Sequence, residues 1–244
     1  MSLLEVRNVS VSFGGVNALT DVDLTLDAGS VTGLIGPNGA GKTTLFNVIS
    51  GLQVPDRGVV RLDGNDITNL KPYQRARLGI GRTFQRLEIF GSLSVRDNIR
   101  VSAEMLKEWQ RDAPDPLDVA DEVMDRMGLQ GVAHERADTL PTGMARLIEV
   151  GRALTIKPKV LLLDEPSSGL DDQETDDLAS LLIDLAGQGL GVLLVEHDVP
   201  FVMGTCKLVH VLDFGNILAV GTAKQIQRSE SVQRAYLGSS AKKK

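Results

Sequence analysis

The segment Gly36-Pro37-Asn38-Gly39-Ala40-Gly41-Lys42-Thr43 fits the pattern G-x-x-x-x-G-K-[ST]. Glycines at this spacing let successive backbone N–H groups wrap a phosphate, the lysine offers a cation to the β- and γ-oxygens, and the threonine hydroxyl can ligate Mg²⁺. A second run, Val160-Leu161-Leu162-Leu163-Asp164-Glu165, ends an apolar strand in two carboxylates. The first of such a pair can hold a metal shell, and the second can orient and deprotonate a water for in-line attack on a γ-phosphate. His197 follows another apolar run in LLVEHD, and Gln85 stands in RTFQRLEIF. Taken singly, each reads as an ordinary polar residue. A place at the carboxyl end of a parallel strand, where ligands collect in open α/β sheets, gives His197 a chemical meaning. Together the four features describe nucleoside triphosphate binding and hydrolysis.

Patterning supplies the elements that must position them. Residues 3–13 and 22–26 alternate apolar and polar side chains, which predicts a small antiparallel β region. SVTGLIG (30–36) predicts a short strand, and KTTLFNVIS a helix that Gly51 can end in the left-handed conformation. GVVRL (58–62) followed by Asp63-Gly64 predicts a strand and a tight turn. From Arg86 to about Thr139 charged helical segments are interrupted by RDAPDP at 111–116, where two prolines deny helix continuity. Val160–Leu163 and Val192–Val195 are unbroken apolar runs, suited to central parallel strands covered on both faces. Residues 208–220 predict a hairpin around DFGN, and 222–237 a closing helix. Asp213-Phe214-Gly215 spells a kinase motif, but an H-R-D-type catalytic loop and a matching lysine context do not accompany it, and a hairpin turn suits it better.

Composition bounds the setting. The chain has 244 residues, 42% hydrophobic and 24% charged, enough for one large α/β domain carrying an insertion. A single cysteine, Cys206, excludes an intramolecular disulfide and fits a cytosolic setting. The first residues lack the basic start and apolar block of a signal peptide. No window offers ~18 uninterrupted apolar residues, so a membrane role requires a partner. A net charge of −6 argues against a broad phosphate-backbone footprint, and no nucleic-acid partner is expected. Lys242-Lys243-Lys244 reads as a solvated tail.

GPNGAGKTT, Gln85, LPTGMARLIEVGRAL (140–154), LLLDEP, Ser168-Gly169-Leu170-Asp171 and EHD occur in the order and spacing of ABC-transporter ATPase subunits, which this chain resembles over nearly its whole length. Within that group, RTFQRLEIFGSLSVRDNI, VEHDVPFVM and VQRAYLG resemble the nucleotide-binding subunits of branched-chain amino-acid importers. The resemblance implies an α/β fold: a P-loop NTPase (RecA-like) core with an N-terminal antiparallel β region and an inserted helical subdomain. Residues 1–85 and 151–238 would form the ATP-binding core, 86–150 the helical signature subdomain and 239–244 a tail. ATP and Mg²⁺ are the implied cofactors. Phe13 would stack on adenine, while Gly36, Asn38, Gly39, Ala40, Gly41, Lys42, Thr43 and Thr44 would hold the phosphates and the metal. Gln85 would lie near the metal and the attacking water, Asp164 would serve the metal, Glu165 would be the general base, and His197 would contact the γ-phosphate. Asp171 would belong to a loop that crosses a dimer.

The implied partners are a second ATP-binding subunit, identical or paralogous, packed head to tail, and transmembrane permease subunits at the cytoplasmic face of the membrane. A substrate-binding protein would act indirectly. Leu87-Glu88-Ile89-Phe90 would dock the permease or, on its apolar content alone, pack inside the insertion. One segment departs from the pattern. Where such proteins begin LSGGQ, this chain reads LPTGM, so Pro141 removes a hydroxyl and an N–H. Thr142 is then expected to cap the following helix, whose apolar face is Leu147, Ile148, Gly151 and Leu154, and Thr142 with Gly143 is expected to meet a phosphate across the dimer. Competing readings are a soluble ABC ATPase acting in translation or DNA repair, and an ATP-gated regulator that does not hydrolyse. Glu165 argues against the regulator, while the altered LPTGM segment favours it.

Overall fold

The computed structural model describes residues 2–240, so the lysine run at 242–244 lies outside the described residues. A long hairpin opens the chain, β1 (Ser2–Phe13) and β2 (Val16–Asp27), and β4 (Arg57–Leu62) and β5 (Asn65–Asp66) complete an antiparallel sheet of order β2-β1-β4-β5. Asp63 and Gly64 between β4 and β5 both take positive φ, 49° and 77°, as a tight Asp-Gly hairpin turn demands. The second sheet combines β3 (Ser30–Ile35), β6 (Ile80–Arg82), β7 (Val160–Asp164), β8 (Gly191–Val195), β9 (Leu208–Asp213) and β10 (Asn216–Gly221). Its order is β10-β9-β3-β8-β7-β6. All its pairings are parallel except the β9–β10 hairpin.

Every residue of β7 and β8 is buried, as their unbroken apolar runs require. Alternation along β7 divides them between two cores. Leu161 and Leu163 face a helical layer with Ile99, Val123 and Leu182, while Leu162 packs with Phe46 of the helix α1 (Lys42–Ser50) and with Leu24 of the antiparallel sheet. The parallel register sets Leu34 of β3 and Asp164 of β7 opposite the same residue, Val195 of β8. The carboxyl ends of the central strands therefore finish at one level.

Residues 86–150 hold α3 (Val95–Trp109), α4 (Pro116–Arg126) and most of α5 (Thr142–Leu154). Ser94 caps α3, Asp115 caps α4, and Pro116 opens α4 at a position where a missing N–H costs nothing. α5 runs straight through the expected boundary at 150/151, so the insertion and the core share a continuous helix. α2 (Pro72–Arg77), α6 (Asp172–Gly187) and α7 (Val199–Thr205) complete the layers. The single closing helix expected over 222–237 is instead two, α8 (Ala223–Arg228) and α9 (Glu230–Ser240), because Ser229 adopts an extended conformation with ψ 114°. α9 also takes in residues 239 and 240, which were expected to begin a tail. Among the described residues, no helix is long and apolar enough to cross a membrane.

Candidate active site

The glycine-rich loop is fixed by close approach of backbone from two sides. A Cβ at Gly36 would fall 2.1 Å from the Leu212 carbonyl oxygen of β9, and one at Gly41, where φ is 108°, would fall 2.6 Å from that of Ala18 on β2. Only glycine fits either place. The DFGN segment is the two-residue turn between β9 and β10, and the Gly215 N–H donates to the Ala40 carbonyl at 2.9 Å. That turn braces the loop, and kinase chemistry has no part in it.

A cleft of about 530 Å³ opens above the strand ends, lined by Ala18, Asn38, Gly39, Gly41, Lys42, Thr43, Thr44, Gln85, Asp164, Glu165, Val195 and His197. Residues more than 150 positions apart in the chain thus meet in one place. His197 Nε2 lies 2.5 Å from Glu165 Oε1, and Gln85 Nε2 donates to the same oxygen at 3.3 Å. Glu165 takes a positive φ of 52°, an uncommon conformation for a non-glycine residue, and its N–H donates to the Val195 carbonyl at 2.9 Å. Strain at such a position persists only where the surroundings over-determine it. Lys42 Nζ donates to the Gly36 and Pro37 carbonyls at 2.6 and 3.0 Å, so its ammonium is held inside the loop.

Burial pushes the Lys42 pKa down, opposed by the carboxylates of Glu165 and Asp164. Burial likewise pushes the Asp164 carboxyl up, and the Arg82 guanidinium is the first of the charges that pull it back. The pair stands at an edge between apolar core and cleft, where charge is costly without partners.

Several expected residues lie elsewhere. Phe13, 51% exposed, ends β1 outside the cleft lining. Gly36 and Ala40 support the loop from behind without lining the cleft. Asp171 caps α6: its Oδ1 accepts from the Glu174 N–H at 2.8 Å, and Glu174 Oε2 accepts from the Asp171 N–H at 3.0 Å. Thr142 does not cap α5. Pro141 occupies the cap position with no side-chain hydrogen bond, and Thr142 is the first helical residue, exposed and lying over Gly169. Gly143 is buried against Leu170 and Glu174, whose atoms would meet a Cβ there at 2.7 Å.

Sequence reasoning missed Ala18, whose type carries no signal, and three charged residues that hold the loops. Buried Glu196 accepts from the Ser167 N–H and Oγ at 2.8 and 2.6 Å and from the His197 N–H at 3.0 Å, tying the segment after Glu165 to the one bearing His197. An acid directly after an apolar strand run was the available signal. Arg146 on α5 donates to the Phe84 and Gln85 carbonyls at 3.1 and 2.7 Å, and Glu149 accepts from the Glu88 N–H at 2.6 Å. α5 therefore grips the backbone around Gln85.

A separate groove of about 360 Å³ lies on the far side of that backbone, with Tyr73, Phe84, Met105, Trp109 and Arg152 in its walls. The segment 87–90 is divided. Ile89 packs on the core, whereas Phe90 is 44% exposed beneath the Arg152 guanidinium, 4.5 Å from its ring centroid.

A phosphate-binding loop between β3 and α1, paired with acids at the end of a neighbouring parallel strand, defines a P-loop nucleoside-triphosphatase. The model of the ABC transporter family matches residues 19–168. The chain belongs to that family, and it is an ATPase subunit with the cassette fold. It is 36% identical to the lipopolysaccharide export system ATP-binding protein LptB of Haemophilus influenzae, with 98% of each chain covered. It is also 36% identical to the high-affinity branched-chain amino acid transport ATP-binding protein BraF of Pseudomonas aeruginosa, over 97% of this chain and 98% of that one. Among solved structures, an ATP-binding cassette of an ABC transporter in its ADP conformation superposes with a TM-score of 0.88 at 29% identity, covering 98% and 99% of the two chains.

Proposed function

We propose that this chain hydrolyses ATP to drive import of branched-chain amino acids or similar small polar solutes, as one of two cassettes bound beneath transmembrane permease subunits at the cytoplasmic face. The observation that carries the catalytic half is the meeting of Glu165, His197 and Gln85 over the glycine-rich loop. Glu165 is the general base: one carboxylate oxygen is engaged by His197 and Gln85, and the other is left to take a proton from water. His197 and Gln85 orient that base, and His197 turns to the γ-phosphate when nucleotide is present. Lys42 exchanges its two carbonyl contacts for phosphate oxygens.

Mg²⁺ suits the residues present. Among the described residues no cluster of three or more His, Cys, Asp or Glu is arranged to hold a metal. Of the oxygen donors that line the cleft, the Asp164 carboxylate, the Thr43 hydroxyl and the Gln85 amide are assigned to the ion, the sparse donor set of a cation shared with a nucleotide's phosphates. When bound, the ion would neutralise charge on the β- and γ-phosphates.

Phe13, exposed at the end of β1, is assigned to the adenine. Thr142, Gly143 and Asp171 are assigned to the facing cassette's nucleotide. The first turn of α5 has no side-chain cap, so its N–H groups remain available to an anion. Binding of ATP between two cassettes favours the closed dimer, and cleavage removes that preference. The groove beside Gln85, with its aromatic and arginine walls, receives the permease, and the α5 clamp links that contact to the catalytic loop. Likeness to BraF and the segments RTFQRLEIF, VEHDVPFVM and VQRAYLG support the cargo class, with a binding protein delivering solute to the permease. Equal identity to LptB favours export as the second reading. Vesicles that carry this subunit with its permease subunits, with the cassettes and ATP enclosed inside, should take up labelled leucine presented outside with a binding protein; ATP-driven efflux of a lipid-linked substrate would favour the second reading.

Glu165→Gln is expected to keep ATP binding and to accumulate an ATP-bound dimer on size exclusion. A monomer under those conditions, alongside normal hydrolysis by wild type, would overturn the assigned base or the two-cassette arrangement.

A further inference from the structure

Arg82 ends β6, three residues before Gln85, and its side chain is only 9% exposed. Its Nη1 donates to Asn47 Oδ1 at 2.8 Å and to Ser50 Oγ at 2.7 Å, both on α1. Its Nε donates to the Thr83 carbonyl at 3.3 Å. Its Nη2 lies 3.8 Å from Asp164 Oδ2, whose side chain is 4% exposed. The rings of Phe46 and Phe84 flank the guanidinium at 5.7 and 4.9 Å. The Asp164 N–H in turn donates to Thr83 Oγ1 at 3.3 Å. One planar fork is thus hydrogen-bonded to α1 and to the end of β6, and its charge reaches the carboxylate at the end of β7.

Thr43 and Asp164 belong to α1 and β7, elements that this side chain bridges. A buried cation is expensive, and an apolar residue of similar volume would fill the same space between Phe46 and Phe84 without that cost. A lysine would keep the charge but could not make several directed contacts at fixed angles. The retained guanidinium therefore points to a geometric task.

We infer that Arg82 is a positioning residue: its guanidinium holds the Asp164 carboxylate in fixed register with α1, so that Asp164 and Thr43 present one divalent-cation site to the phosphates of a bound nucleotide. The inference rests on the ATPase reading above and on the cation site assigned there. Arg82 touches neither nucleotide nor metal, and its effect passes through Asp164. Phe84, its ring centroid 4.9 Å from the guanidinium, also forms part of the groove wall, so the same fork lies between the groove and the cation site.

The test uses ADP, which is not turned over, and Mn²⁺, read directly by electron paramagnetic resonance on the intact chain. Arg82→Lys should bind ADP in excess EDTA within about twofold of wild type, while its Mn²⁺ affinity in the ADP complex should fall about tenfold, the usual scale for an outer-sphere partner. Asn47→Ala with Ser50→Ala keeps the guanidinium but removes its posts on α1, and should show a smaller loss in the same direction. In turnover assays the Mg²⁺ concentration for half-maximal rate should rise more than the KM for ATP. If Arg82→Lys does not fold, the Asn47 and Ser50 double variant decides alone. Variants that match wild type in Mn²⁺ affinity overturn the role of Arg82 while leaving the cation site standing. A wild type that binds ADP but recruits no Mn²⁺ overturns both.

Discussion

Lys42 is bonded to its own loop through the Gly36 and Pro37 carbonyls, at 7% exposure and with its pKa pushed down chiefly by burial. The arrangement keeps a desolvated ammonium satisfied until phosphate oxygens replace those carbonyls, and the negative charge of a nucleotide would restore its preference for the protonated form. Truncating it should remove charge-assisted hydrogen bonds each worth about 1.5–3 kcal/mol. Lys42→Ala is therefore expected to weaken ATP binding by about two orders of magnitude, measured by titration calorimetry, with the melting temperature little changed. An ATP affinity equal to wild type would show that the loop does not bind phosphate through this residue. At this scale the sequence was most informative, because the loop, the paired acids, Gln85 and His197 each carry their chemistry in their residue type. Arg82 was not legible, and Glu196 announced itself only as an acid closing an apolar strand run. Both act by holding other residues, and nothing in a strand-end arginine tells that role from a solvated charge.

Elements were legible where one local rule dominates, as with the left-handed Gly51 ending α1, Asp115 and Pro116 opening α4, and unbroken apolar strands covered on both faces. They were misread where two rules compete. In Leu140-Pro141-Thr142-Gly143, cap preference selects threonine, but proline's fixed φ, here −54° with ψ 152°, already supplies the extended geometry of a cap position, and the helix begins one residue earlier. Ser229 likewise interrupts the closing segment with no proline or glycine to announce it. The α5 finding is testable. Thr142→Ala should leave stability within about 0.5 kcal/mol, since no cap bond is lost. Pro141→Ser should stabilise the chain by about 0.5–1 kcal/mol by giving an uncapped helix an acceptor. Urea denaturation of both variants decides, and a loss of more than 1 kcal/mol for Thr142→Ala would restore the threonine cap. If the uncapped turn also receives phosphate from a facing cassette, Pro141→Ser should slow turnover at unchanged single-chain ATP affinity, because its hydroxyl then competes for the same N–H groups.

At the scale of the molecule, the two sheets enclose one of the two cores between them, and that contact hides a group the sequence pattern disguised. His210 in LVHVLD occupies an apolar position of β9, on the same side of the strand as Leu212, which packs toward the antiparallel sheet. It is 3% exposed, and neither ring nitrogen has a hydrogen-bond partner. Burial pushes its pKa down from 6.5 to about 4, and the Thr25 backbone offsets this only in part, without a well-formed hydrogen bond. The folded chain thus holds a neutral imidazole that the unfolded chain would protonate more readily. Between pH 6.5 and about 4 the unfolded state binds the extra proton, so the stability this group allows is complete above pH 6.5 and is lost as the pH falls through that window. By pH 5 the loss should reach about 2 kcal/mol. His210→Leu removes both the proton uptake and two unpaired nitrogens at similar volume, so it should be at least as stable as wild type at pH 7.5 and fall less steeply on acidification. Denaturant midpoints at pH 7.5 and pH 5 measure the difference directly. Equal acid sensitivity in the two proteins would mean that His210 is already paired or charged in the fold, and that the contact between the sheets is wetter than its packing implies.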